Sequence, residues 1–310
     1  MPTTTTNDIL VIGAGELGTQ VLLSLAQHPN ASNKNIAALL RPSTITSPSP
    51  QKTAELQTLR DSHISLIPGD ITNDTPDTLS SVFANYHTVI SCTGFAAGSG
   101  TQRKLARAVL AADVPRFIPW QFGVDYDTIG RGSGQDLFDE QLDVRDLLRS
   151  QEKTKWAIIS TGMFTSFLFE PSFGVVDLQN AIVTALGGLA NRVTVTSPGD
   201  IGRLAAEAVL GPNTDEVFGN KAIYVAGDTL SYERLAELLE MVTGRTFQRK
   251  VRTVESAKAD LTKEPENGLY KYQIVFGEGK GVAWDIGETW NSTLGIRAQT
   301  AEEWAKEHLS

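Results

Sequence analysis

Ile9-Leu10-Val11-Ile12-Gly13-Ala14-Gly15-Glu16-Leu17-Gly18 is the stretch that decides the fold, and Thr19 to Gln27 continues it with helical spacing. A short branched apolar run, a G-x-G-x-x-G and an amphipathic segment, in that order, are the parts of a strand-turn-helix unit that binds a dinucleotide. The first glycine permits the tight turn, the second lets a phosphate reach the backbone, and the third lets helix and strand pack closely. The helix that follows presents unpaired N–H groups and the positive end of its dipole to a pyrophosphate. Three glycines alone are a weak signal; the flanking strand and helix make it specific. Gly13, Gly15, Glu16, Leu17 and Gly18 are therefore the first candidate cofactor residues.

Asn35 to Leu40 reads as a second strand, with Arg41 at its end. Sites for NAD place Asp or Glu here to bind the ribose 2′-hydroxyl, whereas NADP sites use a basic group for the 2′-phosphate. No carboxylate occurs between Arg41 and Glu55. An arginine at a strand end is often only a solvated charge; behind this glycine turn it points to NADP(H).

The 310 residues suffice for one large domain, or for a cofactor domain with a smaller partner. A hydrophobic fraction of 41% with 20% charged residues is that of an ordinary globular chain, which sets aside disordered and fibrous classes. The net charge of −9 counts against a nucleic-acid partner, which usually requires a basic face. Apolar runs are of strand length, far short of the ~20 residues of a membrane-spanning helix. Met1 to Asn7 is Thr-rich, without a basic region and apolar core, so no secretory signal is expected and a cytoplasmic location is. The single cysteine, Cys92, excludes an intrachain disulfide and a cysteine metal cage. His28, His63, His87 and His308 lack ligand spacing, so no metal is expected.

Strand and helix patterns alternate through the first half, which predicts a doubly wound, Rossmann-type parallel α/β sheet. Strands are expected near 8–12, 36–40, 64–67, 87–91, 115–119 and 156–160, and helices near 16–27, 52–61, 76–84, 101–112 and 134–150. Residues 42–50, rich in Ser, Thr and Pro, read as a loop over the adenosine end. The expected division is a cofactor domain over 1–160 and a smaller α+β substrate region over 161–310, with segments exchanged between them. In the second part Ser197, with Pro198 behind it, reads as the cap of a helix to Leu210. Residues 222–226 and 247–254 read as strands, 254–262 and 300–308 as helices, and 264–281 as an irregular lid or wall.

Ligands of such sheets sit beyond the carboxyl ends of the strands. Ser91-Cys92-Thr93-Gly94-Phe95 ends the fourth strand, and its small residues let a nicotinamide ribose approach. Cys92, Thr93 and Gly94 are thus cofactor candidates and Phe95 a substrate candidate. Cys92 reads as a small buried apolar residue, because no neighbouring base marks it as a nucleophile.

Pro119-Trp120-Gln121-Phe122-Gly123-Val124-Asp125-Tyr126-Asp127 ends the fifth strand. With the glycine turn, Arg41 and Phe138 to Arg145, this block resembles the NmrA-like branch of the atypical short-chain dehydrogenase/reductases, on the isoflavone-reductase and phenylcoumaran-benzylic-ether-reductase side. The resemblance runs through most of the chain. It implies a Rossmann NADPH domain with a small C-terminal substrate domain, and reduction of aromatic or phenolic secondary metabolites in the redox members. It also implies that Gln121, Phe122, the Gln102 region and Ser160 to Phe164 lie near the cofactor.

One departure matters. The family's reductases carry a lysine in F-x-x-K-x-x-x-R, placed to bind ribose and assist proton transfer; here Phe138-Asp139-Glu140-Gln141-Leu142-Asp143-Val144-Arg145 puts Gln141 at that position. Glutamine can orient a ribose or a substrate oxygen but cannot supply a proton near neutral pH. None of the six tyrosines completes Tyr-x-x-x-Lys. Gln141 as orienting group and Tyr126 as proton donor are the catalytic candidates, with Tyr126 as a plain wall residue the alternative. Asp125 and Asp127 either cap a turn or, if buried, do acid–base work. Phe164, Phe167, Phe169 and Phe173 form a dense aromatic segment after Met163, which is either core or the wall of a pocket for a flat ligand. Trp120, Asp125, Met163 and Phe167 are its substrate-side candidates.

The expected function is NADPH-dependent reduction of a small, largely apolar carbonyl, enone or imine, aromatic or polyketide-like. A non-catalytic NADP(H)-sensing regulator with a protein partner is the alternative suggested by Gln141. A non-redox isomerase or cyclase on the same scaffold is the third.

Overall fold

The computed structural model describes residues 8–46, 48–94 and 98–309. In chain order the first elements are β1 (Ile9–Ile12), α1 (Glu16–Gln27), β2 (Ile36–Leu40), α2 (Pro42–Thr46), α3 (Pro50–Asp61), β3 (Ser65–Pro68), α4 (Pro76–Phe83), β4 (Thr88–Ser91), α5 (Thr101–Ala111) and β5 (Arg116–Ile118). Then come α6 (Tyr126–Ile129), α7 (Leu137–Arg149), β6 (Lys155–Ser160), β7 (Met163–Phe164), α8 (Thr165–Leu168), β8 (Val176–Asp177), β9 (Ile182–Leu186) and β10 (Arg192–Thr196). The last are α9 (Pro198–Leu210), α10 (Thr214–Val217), β11 (Lys221–Tyr224), β12 (Asp228–Ser231), α11 (Tyr232–Thr243), β13 (Gln248–Arg252), α12 (Val254–Lys263), α13 (Gly268–Glu278), α14 (Trp290–Thr293) and α15 (Ala301–Leu309).

The chain divides into two compact units, the first made of Met1–Gln121, Asp143–Ile159 and Ile201–Ile223, the second of Phe122–Leu142, Ser160–Asp200 and Tyr224–Ser310. The first carries a seven-stranded sheet of order β11-β6-β5-β4-β1-β2-β3. β1 pairs in parallel with both β2 and β4. The chain therefore winds outward in two directions from β1, and a crevice opens where the order reverses, beyond the carboxyl ends of β1 and β4. Every residue of β1, β2 and β4 is buried, as a sheet covered by helices on both faces requires. Leu10, Ile12, Val89 and Phe117 join Phe83, Leu105, Val109 and Trp156 in one core.

The second unit holds two three-stranded sheets, β12-β10-β7 and β13-β9-β8. Its core is aromatic: Tyr126 meets Phe138 at 4.9 Å, Phe167 meets Phe173 at 4.6 Å, and Phe173 meets Phe276 at 6.1 Å. Phe169 stacks on Trp304 at 4.7 Å and so ties α15 down. Ser197 caps α9 as expected, its Oγ accepting from the Asp200 N–H at 3.2 Å.

Two local expectations are corrected. Within 42–50, Pro42–Thr46 is helical, because Pro42 opens α2, and Pro50 opens α3 behind the Ser49 cap. Proline at a first helical position lacks only an N–H that would have no intrahelical partner, so these prolines start helices rather than break them. Residues 264–281 contain α13, capped by Asn267, whose Oδ1 accepts from the Leu269 and Tyr270 N–H groups. Phe95 lies outside the described residues.

Candidate functional site

In the first unit, Gly13 has φ +91°, and a Cβ there would stand 2.7 Å from Thr93 Oγ1. Thr93 Oγ1 donates to the Ile12 carbonyl at 3.1 Å, which joins the ends of β1 and β4. A Cβ on Gly18 would lie 2.2 Å from the Gly13 carbonyl oxygen, so α1 can approach the turn only with glycine there. Gly15 differs from both: a Cβ would meet nothing within 4 Å. Protein packing does not demand glycine at 15, and the open face there leaves room for a ligand to approach the backbone. Gly15 is also the N-cap of α1 and gives its amides no side-chain acceptor. Such a helix end suits an anion.

A pocket of about 430 Å³ opens in front of this turn. Of the cofactor candidates, Gly13, Gly15, Arg41, Cys92, Thr93 and Gly94 line it. Glu16 is exposed and Leu17 is core, and neither side chain lines this pocket. Arg41 is exposed and forms no ion pair among the described residues, which leaves its charge open to an anion. Cys92 is buried, and burial alone pushes its thiol well above the usual range, which makes it inert lining. Gln102 Nε2 donates to the Thr93 carbonyl at 2.8 Å and fixes the strand-end loop. Trp120 is half-buried, and a Cβ on Gly94 would stand 3.0 Å from its indole. Gln121 is fully buried and accepts from Arg145 Nε at 2.8 Å.

The sequence reading missed Lys52. Its Nζ donates to the Ala14 carbonyl at 2.6 Å, inside the glycine turn, and pairs with Glu55 at 2.6 Å. It lines the same pocket as Arg41, so two basic side chains border that pocket. The available signal was that Lys52 is the first basic residue after Arg41.

In the second unit, Gln141 is fully buried on α7. Tyr126 is buried, and a Cβ on Gly123 would stand 2.7 Å from its hydroxyl. Asp125 caps α6, accepting from the Thr128 N–H at 3.1 Å and Thr128 Oγ1 at 2.7 Å, and it also accepts from Tyr224 Oη at 2.9 Å. Asp127 is exposed. Phe122 and Met163 are buried, while Phe164 and Phe167 are half-buried.

Another tyrosine in this unit was not singled out by the sequence. Tyr272 on α13 lies edge-on to Phe138 at 5.9 Å and to Phe167 at 6.2 Å. Desolvation by these rings pushes its phenol up to about 12. Burial likewise raises Tyr232 and, with Asp8 nearby, Tyr86. A phenol whose folded value exceeds its unfolded value of 10.0 contributes stability below pH 10.0 and loses it as pH rises towards 12. Melting temperature measured across that window should fall, and Tyr272→Phe should shallow the slope; an unchanged slope would count against the burial of this phenol.

Among the described residues no helix is long and apolar enough to cross a membrane, and no cluster of three residues could hold a metal ion.

Comparison with known proteins gives the family and matches the fold. An NmrA-like family domain-containing oxidoreductase of Gibberella moniliformis is 44% identical over 302 residues, covering 97% of this chain and 98% of the relative. The crystal structure of an isoflavone reductase superposes with a TM-score of 0.79 at 21% identity, covering 98% of this chain and 100% of the other. The leucoanthocyanidin reductase–NADPH binary complex from Vitis vinifera gives 0.77 at 20% identity, covering 97% and 99%. The model of the NmrA-like family matches residues 5–305, and the chain belongs to that family.

Proposed function

We propose that this protein is an NADPH-dependent reductase of a small, largely apolar carbonyl, enone or imine compound of aromatic character. The observation that carries the proposal is the pocket bordered by an open Gly15, a helix N-terminus without a side-chain cap, and the two cations Arg41 and Lys52. A pyrophosphate fits the first two, and a 2′-phosphate fits the cations. The G. moniliformis relative is named an oxidoreductase, and the V. vinifera structure holds NADPH, which supports the same reading.

The cofactor supplies hydride chemistry when bound, and the protein supplies placement and electrostatics. In this reading Thr93, Gly94, Gln121 and the Gln102-braced loop hold the ribose side. Gln141 orients the substrate oxygen by hydrogen bonding, and Met163 and Phe167 of the same unit supply apolar wall. Tyr126 is a weaker candidate for proton donor than its chemistry suggests, because its hydroxyl is tucked over Gly123. Asp125 acts as a cap whose carboxylate is already shared among three donors.

Steady-state NADPH oxidation over a panel of aromatic ketones, enones and imines tests the proposal. Turnover of at least one class supports it. Gln141 favours one rival, a sensor that binds NADP(H) without turnover; tight NADPH binding with no oxidation across the panel would establish that rival instead.

A further inference from the structure

We propose that the outer edge of β13 is a docking site for an extended, acidic segment of another protein, which adds to the β13-β9-β8 sheet as a further strand. The inference is independent of the reductase reading, since β13 contributes no residue to the pocket at the glycine turn.

β13 is the outermost strand of its sheet. It runs parallel to β9, with Gln248 beside Ile182 and Arg252 beside Leu186. In a parallel ladder alternate residues turn both backbone groups towards the neighbour, and the residues between them turn theirs away. The Gln248 N–H donates to the Ala181 carbonyl at 2.8 Å, and the Arg252 carbonyl accepts from the Gly187 N–H at 2.8 Å. Residues 248, 250 and 252 therefore face β9. Arg249 and Val251 point their N–H and C=O groups outward, where no described residue bonds them. Gln248, Lys250 and Val251 are exposed, so the edge is open. Unpaired groups along an open edge are a template for another strand.

The side chains select which strand. Alternation puts Arg249 and Val251 on one face and Gln248, Lys250 and Arg252 on the other. Arg249 is neutralised by Glu233 and Glu240 on α11, and Arg252 by Asp260 on α12. Lys250 forms no ion pair among the described residues. Asp177 on β8 feels its field, but that carboxylate is held by the Asn180 N–H and Nδ2. The edge thus presents an uncompensated cation on one face and, at Val251, a 49% exposed apolar side chain on the other. Its complement is a strand with carboxylates on one face and branched apolar side chains on the other.

A second copy of this chain fits badly. The antiparallel register that uses the outward groups of both residues sets Arg249 opposite Val251 and Lys250 opposite Lys250. The two lysine Cα atoms would then stand about 4.5 Å apart, and like charges so placed repel. Lys250 excludes self-pairing and leaves the edge to an acidic partner.

The probe is a fluorescein-labelled octapeptide of alternating Val and Glu, titrated with the full-length protein and read by anisotropy. It should bind saturably, and a Val–Lys counterpart should bind at least about tenfold more weakly. Lys250→Glu should weaken the Val–Glu peptide by about tenfold. Val251→Pro should abolish its binding, because proline removes an outward N–H and no bond to β9, a change that edge strands accept. The fully N-methylated Val–Glu peptide, which has no ladder donors, should not bind wild type; this arm holds even if Val251→Pro does not fold. NADPH affinity should be the same in both variants as in wild type, so failure here leaves the reductase reading untouched. No binding of the Val–Glu peptide overturns the proposal. Binding that survives Val251→Pro or N-methylation overturns it too, since charge alone then holds the peptide. Self-association in sedimentation that Val251→Pro abolishes would give the edge to a second copy and overturn the assignment to an acidic partner.

Discussion

Gly18→Ala should lose both stability and cofactor binding, whereas Gly15→Ala should lose binding alone. At position 18 the added carbon stands 2.2 Å from the Gly13 carbonyl oxygen and 2.9 Å from its carbon, both backbone atoms of a turn that cannot yield. α1 must move away from β1, which costs about 2–3 kcal/mol in overpacking, a drop of several degrees in melting temperature. The same movement carries the amides of the helix N-terminus out of register with a phosphate. At position 15 the new methyl meets no protein atom within 4 Å, so the fold is nearly indifferent to it. The methyl then occupies the space a pyrophosphate needs, and NADPH affinity falls at least tenfold. Thermal denaturation and calorimetric titration on the two variants separate the effects. A Gly15→Ala protein that binds NADPH like wild type would sink the assignment of that open face.

The second large effect is on cofactor choice. Arg41→Ala should weaken NADPH by about tenfold to a hundredfold, because a charge-assisted hydrogen bond contributes roughly 1.5–3 kcal/mol. NADH, which has no 2′-phosphate, should change by about twofold or less. Lys52→Ala should weaken both cofactors, NADPH the more, since its Nζ also braces the turn through the Ala14 carbonyl. Arg41 is exposed and its field is screened by salt, so the preference for NADPH should narrow as ionic strength rises. Competitive titration of each variant with both cofactors reads these differences. Equal losses for NADPH and NADH in Arg41→Ala would remove that residue from the 2′-phosphate.

Much of this was legible in the sequence because its causes are local. The glycine turn announces itself through residues within a few positions of one another, and β1, β2 and β4 through continuous apolar runs that only a doubly covered sheet can bury. Arg41 was readable because its position follows from where β2 ends. The failures are equally physical. Residues 42–50 carry a loop composition, yet two prolines sit where helices begin. α13 was hidden because its cap, Asn267, lies behind a Pro-bearing stretch and its buried residues Ile274, Val275 and Phe276 are consecutive rather than periodic. Lys52 was missed because its place in the pocket comes from a contact with Ala14, which only the tertiary structure brings to it. Tyr126, singled out by its motif, is buried with its hydroxyl close over Gly123, a placement the motif alone does not give.

The central claim is that the first unit is a site for NADP(H). Calorimetric titration of the purified protein with NADPH, NADP⁺ and NADH in one buffer tests it most directly. The account predicts that NADPH and NADP⁺ bind at least tenfold more tightly than NADH. Equal or tighter binding of NADH would contradict the roles given to Arg41 and Lys52, and no binding of any of the three would contradict the site itself.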